Sequence, residues 1–309
     1  MSWLFFSIAA YFLLALSYVL DKFLLADRIP KPAVYTFYVA LLSAVSLVLI
    51  PFGFYWQGFY WTAFSLLAGV IFIYALLFYY LALKDNEVSR VAPLIGSIVP
   101  IITFLIARVF LEEILTVWNL GGFVFLVGGG FLISFDLPIK SKKIFRGFRY
   151  SLISGVLFAL AYSFFKYVYG DSGFISGFIW TRLGLFAGGL SLLAFPAFRK
   201  SIILSFYNLF EKRRKKQKRN AGTAALFILN KIFGGSSSIL LNYAIFLGSV
   251  SLIQAISSIQ FVFILILVSI ASIKYSRMFN EKLYFWDWAQ KIGAVIVITV
   301  GIILVSSPL

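Results

Sequence analysis

The sequence contains no cysteine and no histidine among its 309 residues. Without cysteine the chain can form no disulfide, and it has neither a thiol nucleophile nor a thiolate ligand for a metal. Without histidine it also lacks the most common metal ligand and the usual general base. We therefore expect no metal site, no cofactor and no enzymatic activity.

Charged residues are also scarce, and acidic residues most of all. Only 12% of the residues are charged, with 11 Asp and Glu against 27 Lys and Arg, while 62% are hydrophobic and the mean hydropathy is +0.99. This composition excludes an ordinary water-soluble chain and predicts an integral membrane protein. The basic excess lies mainly between apolar stretches, so it indicates membrane orientation and not nucleic-acid binding.

Ten apolar stretches are long enough to cross the hydrocarbon core, which takes about 20 residues of helix. They cover residues 3–24, 33–51, 60–83, 91–111, 117–135, 150–169, 175–196, 223–247, 252–273 and 286–306. The chain is therefore predicted to be an all-α membrane protein with ten transmembrane helices. Two longer basic loops are predicted at 137–149 and 197–222, with a short amphipathic helix at 201–210 on the membrane surface.

The two halves of the sequence share small motifs in the same order, which predicts an internal duplication. The paired motifs are Leu115-Thr116-Val117-Trp118 with Leu283-Tyr284-Phe285-Trp286, Val88-Ser89 with Val250-Ser251, and Gly122 and Gly130 with Gly293 and Gly301. The first repeat would comprise residues 1–137, followed by a basic linker at 138–149 and a second repeat at 150–309. Because each repeat has an odd number of spans, the repeats are expected to be inverted around a central cavity.

A family resemblance rests on motifs from both halves. They are the segment from Ala82 to Ser89, Ser97-Ile98-Val99-Pro100, Phe110 to Thr116, Trp118 with Gly121, Gly122 and Gly130, then Ser249 to Ala255, Ser258 to Phe263, Phe279 to Leu283, and Gly293 with Gly301. Over nearly the whole chain, they resemble the EamA domain of the drug/metabolite transporter superfamily. The resemblance implies a ten-span transporter that exports amino acids or other small metabolites. Phe261 departs from the pattern, because the family usually has a proline there, corresponding to Pro100.

The distribution of basic residues predicts the orientation in the membrane. The connections on one side hold 21 of the 27 Lys and Arg residues, including the run from Lys212 to Arg219. The positive-inside rule places these connections, which include loops 137–149 and 197–222, on the cytoplasmic side of the plasma or inner membrane. Both termini are then expected on the outer side. Members of the resembled family are usually drawn with both termini inside, but here the charge count favours the opposite orientation. The run at 212–219 would also attract anionic lipids.

Basic residues within the spans are the first candidates for substrate binding, because charge inside a membrane is costly and tends to face a cavity or a partner. Lys231 lies deepest, in the eighth span, and Arg182 lies in the seventh. Asp21 is the only carboxylate placed within a span, so both cations are expected to face no mid-span acid and to favour a cargo with a carboxylate or phosphate. The competing interpretations are snorkelling of Lys231 and interface anchoring by Arg182.

Neutral polar side chains extend the predicted site. The further predicted substrate-binding residues are Asn242, Ser238, Gln254, Ser258, Tyr11, Tyr18, Tyr74 and Tyr162. Hydrogen bonds between packed helices are the alternative role for the amides and hydroxyls. The residues predicted to bend or break helices for gating are Pro93, Pro100, Gly234 and Gly235.

These features together predict a secondary transporter that moves small polar metabolites by alternating access, with amino acids or related carboxylate-bearing compounds as cargo. The sequence has no phosphate-binding Walker motif, which argues against ATP-driven transport by this chain alone. The alternatives are a lipid or lipid-phosphate flippase and a membrane subunit without transport of its own. We expect a small-molecule substrate and membrane lipids as partners, no nucleic acid, and a monomer as a plausible assembly.

Overall fold

The computed structural model describes residues 2–24, 31–84, 88–134, 147–211, 217–274 and 285–306. Within these ranges the chain is helical and contains no strand. The α-helices are α1 (Ser2–Phe23), α2 (Pro32–Ser43), α3 (Gly58–Lys84), α4 (Val88–Phe110), α5 (Val117–Ser134), α6 (Phe148–Ser172), α7 (Phe174–Ser191), α8 (Pro196–Glu211), α9 (Gln217–Leu247), α10 (Val250–Ile256), α11 (Ser258–Lys274) and α12 (Phe285–Ser306). Turns of 3₁₀ helix extend α2 over Ala44–Phe52 and α7 over Leu192–Ala194.

The helices have the length and composition of membrane spans. Among the described residues, eight helical segments are long and apolar enough to cross a bilayer, and two shorter apolar helices cover Leu94–Phe110 and Val117–Ile133. The prediction of an all-α membrane protein is confirmed, although eight segments meet the length criterion and not ten. Large apolar side chains such as Phe5, Phe59 and Val117 are 71%, 83% and 85% exposed, as expected for a surface that faces lipid.

The spans pack in pairs whose members are far apart in the sequence. Helix α1 packs along α9, α3 along α6, and α5 along α12, while α4 also packs on α6 and α1 on α11. The α5–α12 contact needs glycine, because a Cβ on Gly122 would lie 2.9 Å from the carbonyl oxygen of Gly301. Helix α3 also packs on α7, where a Cβ on Gly69 would lie 2.1 Å from the carbonyl oxygen of Thr181. Small residues at these crossings let the helix backbones approach closely.

The interruptions in the helices differ from those predicted. Helix α9 continues through Gly234 and Gly235, and α4 continues through Pro93 and Pro100. Gly234 instead faces α1, since a Cβ there would lie 3.2 Å from the hydroxyl oxygen of Ser17. The side chain of Pro93 lies outside the described residues. The predicted ninth span is interrupted at a single residue, because α10 ends at Ile256 and α11 begins at Ser258, while Ser257 keeps helical backbone angles.

The predicted basic loop at 197–222 contains more helix than expected. Helix α8 covers Pro196–Glu211, and α9 begins at Gln217. The predicted amphipathic helix at 201–210 lies within α8, which packs on α2 through buried Ile202 and a 2.9 Å hydrogen bond between Ser205 and Tyr38. Most of the predicted linker 138–149, and residues 212–216 of the basic run, lie outside the described residues.

Candidate functional site

Lys231 of α9 forms an ion pair with Asp21 of α1. Its Nζ atom lies 3.2 Å from Asp21 Oδ1, and the side chains are only 14% and 5% exposed. The prediction that Lys231 faces no mid-span acid was therefore wrong. A buried ammonium needs a counter-charge, and Asp21 supplies it from a helix distant in the sequence. The Lys231 charge is already neutralised before any substrate arrives.

Three further side chains complete this group, which we call the Asp21 cluster. Asp21 Oδ1 accepts hydrogen bonds from the hydroxyl of Tyr35 and, at 2.5 Å, from the amide nitrogen of Asn230. The amide oxygen of Asn230 accepts a 2.6 Å hydrogen bond from Ser17. The ammonium of Lys231 lies 4.5 Å from the centre of the Tyr35 ring, which adds a cation–π contact. Helices α1, α2 and α9 are thus joined at one polar contact.

Arg182 of α7 is surrounded by neutral groups. Its Nη2 atom donates a 2.8 Å hydrogen bond to Ser238, and its guanidinium carbon lies 4.5 Å from the centre of the Phe178 ring. Arg182 is 6% exposed, its Nε atom has no hydrogen-bond partner, and no described carboxylate pairs with it. Asn242 donates a 2.7 Å hydrogen bond to the carbonyl oxygen of Ser238, and its own amide oxygen accepts one from Tyr169 at 2.8 Å. The structure thus brings together the predicted residues Arg182, Ser238 and Asn242.

A small cavity lies where α1, α3, α4 and α6 meet the break between α10 and α11. We call it the polar cavity. Its polar lining residues are Tyr18, Tyr79, Tyr162, Gln254, Ser257 and Gln260, and its apolar ones are Ile95, Gly96, Val99, Phe158 and Phe261. Gln254, Ser257 and Gln260 are three residues apart, so they lie on one face of α10 and α11 towards this cavity. Helices from both halves of the chain therefore contribute to its lining.

Three polar groups in the lining have no partner. The amide nitrogens of Gln254 and Gln260 and the hydroxyl of Tyr79 are buried and make no hydrogen bond. Gln254 is 3% exposed, Gln260 is 4% exposed and Tyr79 is 1% exposed. Buried donors without a partner are rare in folded proteins, because each loses its hydration without replacement. All three groups are available to a bound molecule.

The predicted tyrosines are divided between the cavity and helix contacts. Tyr18 and Tyr162 line the polar cavity. Tyr11 donates a 2.9 Å hydrogen bond to the carbonyl oxygen of Ile253, in α10 near the break. Tyr74 does not line the polar cavity. Its hydroxyl forms a 2.8 Å hydrogen bond with the hydroxyl of Ser191 in α7.

Ser258 also makes a contact between helices and does not line the polar cavity. Its hydroxyl donates to the carbonyl oxygen of Leu126 in α5, at 2.6 Å. Tyr79, in contrast, lines the cavity but was not predicted, since the sequence offers only the signal of a phenol within an apolar stretch. Tyr35 was missed for the same reason.

A second polar contact joins the halves at the turn between α9 and α10. Lys166 of α6 donates hydrogen bonds to the carbonyl oxygens of Phe246, at 3.2 Å, and Gly248, at 2.8 Å. The carboxylate of Glu113 accepts hydrogen bonds from the hydroxyls of Ser249 and Ser251. The Lys166 ammonium thus binds free carbonyls at the end of α9.

No group of three or more acidic, histidine or cysteine side chains in the described part of the chain could hold a metal ion. The arrangement instead offers hydrogen-bond donors, aromatic surfaces and one arginine without an acidic partner.

Comparison with known proteins identifies the fold and no family. No protein-family model matches the chain, and no curated protein is similar to it. Among solved structures, 23 chains match. One protein of known crystal structure superposes with a TM-score of 0.62 and 14% identity, over 98% of this chain and 95% of that one. At this identity the similarity shows that both chains share a fold over nearly their full lengths.

Proposed function

We propose that this membrane protein is a secondary transporter that moves small polar metabolites by alternating access. The proposal rests mainly on one observation: a small cavity lined by polar and aromatic side chains lies between helices of both halves of the chain, beside the one-residue interruption at Ser257. Cavities between repeats, beside interrupted helices, are typical of secondary transporters, because polar side chains can bind cargo there.

The helix packing supports two inverted repeats of five spans. We equate α1 with α6, α3 with α9, α4 with α10–α11, and α5 with α12. Under this exchange, the contact of α1 with α9 corresponds to the contact of α6 with α3. In the same way, the contact of α1 with α11 becomes that of α6 with α4, and the α5–α12 contact maps onto itself. Such an exchange is what a two-fold axis between inverted halves would produce. It favours the ten-span arrangement and the drug/metabolite transporter resemblance.

The class of cargo follows from the neutral and basic groups around the cavity. Arg182 has no carboxylate partner among the described residues, so it would serve amino acids or related carboxylate-bearing compounds. Lys231 no longer supports this choice, because Asp21 neutralises it. The cargo proposed at this level is therefore a small polar metabolite, with carboxylates as the first group to test.

The proposed setting is the plasma or inner membrane, with the basic connections in the cytoplasm and the termini outside. Anionic lipids would gather near the basic residues at 212–219, where they would offset the positive charge. We propose that a monomer is sufficient for transport, because the polar cavity is formed within one chain.

Transport by purified protein in proteoliposomes tests the proposal. A panel of labelled metabolites would be offered to the wild type, to Gly96→Leu and to Gly128→Leu. A Cβ at Gly96 would lie 2.4 Å from the Phe261 ring inside the cavity, whereas a Cβ at Gly128 would meet nothing within 4 Å. We expect flux with wild type and Gly128→Leu, and at least a tenfold loss with Gly96→Leu. Flux of lipid without any soluble cargo would indicate a flippase, and no flux at all would refute transport.

A further inference from the structure

Two pairs of stacked aromatic rings form part of the lining of the polar cavity. Tyr18 and Tyr79 stack with ring centres 5.3 Å apart and an angle of 26° between the planes. Phe158 and Tyr162 stack at 6.1 Å and 20°. All four residues line the cavity. Flat aromatic walls favour a flat ligand, because stacked or edge-to-face ring contacts are stabilising beyond the apolar area that they bury.

The broken helix supplies hydrogen-bonding groups to the same space. Gln254 lies in the last turn of α10 and Ser257 lies at the break itself. The Gln254 amide nitrogen and the Tyr79 hydroxyl lack partners and are more than nine-tenths buried. An amide nitrogen can only donate, so the missing partner of Gln254 is an acceptor such as a carbonyl oxygen or a ring nitrogen.

The lining contains no charged side chain. The nearest cations are engaged or lie outside it, since Lys231 pairs with Asp21 and Arg182 donates to Ser238. A charged ligand in the cavity would lose its hydration without gaining a counter-ion, which is costly in a membrane interior. A neutral ligand avoids that cost.

We infer that the polar cavity, when it opens beyond the volume of about 50 Å³ that it has in this conformation, binds an uncharged, planar heterocycle that carries a carbonyl oxygen or ring nitrogen as acceptor. The ring lies against the aromatic side chains, the Gln254 amide donates to the acceptor, and the Tyr79 hydroxyl makes a second hydrogen bond. The inference rests on the proposed transport function and, among small polar metabolites, assigns neutral rings to this cavity in place of the carboxylates that Arg182 alone would favour.

Isothermal titration calorimetry on the purified full-length chain in detergent tests this ligand class. The probes are uracil, nicotinamide and adenine as neutral heterocycles, and glycine and glutamate as charged compounds. We expect at least one heterocycle to bind and the charged compounds to bind at least tenfold more weakly. Binding of glycine or glutamate without binding of any heterocycle would overturn the inference, and so would binding of no probe.

Two variants test the assigned contacts. Gln254→Leu removes the amide at nearly constant volume and is expected to weaken heterocycle binding at least tenfold, whereas Gln57→Leu is the matched control. Gln57 is also buried, but it donates to Ser65 outside the cavity, so its loss should leave binding unchanged. If Gln254→Leu does not fold, Tyr79→Phe is tested instead. This variant removes one hydroxyl and is expected to weaken heterocycle binding at least threefold. Wild-type affinity in the deciding variant would overturn the assignment.

The transport assay separates this inference from the function on which it rests. Heterocycle binding in detergent without flux of any labelled probe in proteoliposomes would refute the transporter and leave the ligand class standing. Flux of glycine or glutamate without heterocycle binding would refute the ligand class and leave the transporter standing.

Discussion

Asp21 and Lys231 are 210 positions apart in the chain and 3.2 Å apart in the structure. Each belongs to a different half, so their ion pair ties α1 to α9 across the proposed repeat boundary. Breaking a buried pair costs more than the pair contributes, because one charge is left without a partner in a low-dielectric interior. Loss of either partner should therefore destabilise the protein.

Replacing Asp21 with Asn should destabilise the protein strongly. The substitution leaves the Lys231 ammonium buried without its counter-ion, which typically costs about 3–5 kcal/mol. Lys231→Met should cost less, because Asp21 keeps hydrogen bonds from Tyr35 and Asn230. Unfolding by sodium dodecyl sulfate in mixed micelles, followed by circular dichroism, measures both free energies.

The double variant Asp21→Asn with Lys231→Met is the control for that prediction. It removes both charges, so it should be more stable than Asp21→Asn alone. If the losses of the two single variants simply add, the two side chains do not interact, and the ion pair is not the source of the effect.

Tyr35→Phe should separate the ring contact of Tyr35 in the Asp21 cluster from its hydroxyl contacts. The ring stays 4.5 Å from the Lys231 ammonium, but the hydrogen bond to the Asp21 carboxylate and the 3.0 Å hydrogen bond from the Asn230 amide are lost. A hydrogen bond to a charged group contributes about 1.5–3 kcal/mol. Tyr38→Phe is the comparison, since its hydroxyl pairs with the neutral Ser205 and should matter less. Equal losses in the same unfolding assay would contradict a special role for the carboxylate.

Gly69→Ala should destabilise the contact between α3 and α7. The added Cβ would lie 2.1 Å from the Thr181 carbonyl oxygen and 2.6 Å from the Leu185 nitrogen, so the helices would have to separate. Overpacking of this kind costs about 1–3 kcal/mol or more. The unfolding midpoint in sodium dodecyl sulfate measures the loss.

Gly235→Ala is the control in α9, where an added Cβ meets nothing within 4 Å. It should leave stability unchanged or raise it by up to about 1 kcal/mol, because alanine favours a helix more than glycine does. It also tests the predicted hinge, because α9 is continuous at this position. A variant that is stable but no longer transports would show that the glycine serves gating after all.

Lys166→Met should loosen the turn between α9 and α10. It removes the hydrogen bonds to the carbonyl oxygens of Phe246 and Gly248, which should cost about 1.5–3 kcal/mol because the donor is charged. Lys200→Met, at an exposed lysine of α8, is the matched control and should be nearly neutral. Similar losses in the two variants would mean that the carbonyl contacts add no stability.

The helices could be predicted because each one depends on a local run of apolar residues, which a membrane forces to satisfy its own backbone hydrogen bonds. The predicted stretch 60–83, for example, corresponds to Gly58–Lys84. The break at Ser257 could not be read in this way. Its sequence, from Gln254 to Gln260, is compatible with continuous helix, and the surrounding helices determine that it is interrupted.

The candidate site was harder to predict than the spans, because its members come from different helices. Nothing local indicates that Lys231 meets Asp21, so the sequence suggested a free cation where the structure has a neutral pair. Phe261 is the informative exception. It departs from the family pattern, and its ring fills space beside Gly96 in the wall of the polar cavity.

The orientation in the membrane is predicted from charge alone, since the helix packing is the same whichever side faces the cytoplasm. One side holds 21 of the 27 basic residues, which should keep it in the cytoplasm during insertion. Alkaline phosphatase fused after residue 309 should therefore be active, since it folds only outside the cytoplasm, and green fluorescent protein fused there should be dark. Fusions within 137–149 are the internal control and should behave in the opposite way. A fluorescent fusion after residue 309 with inactive phosphatase would reverse the orientation, and the basic residues would then need a role other than topology.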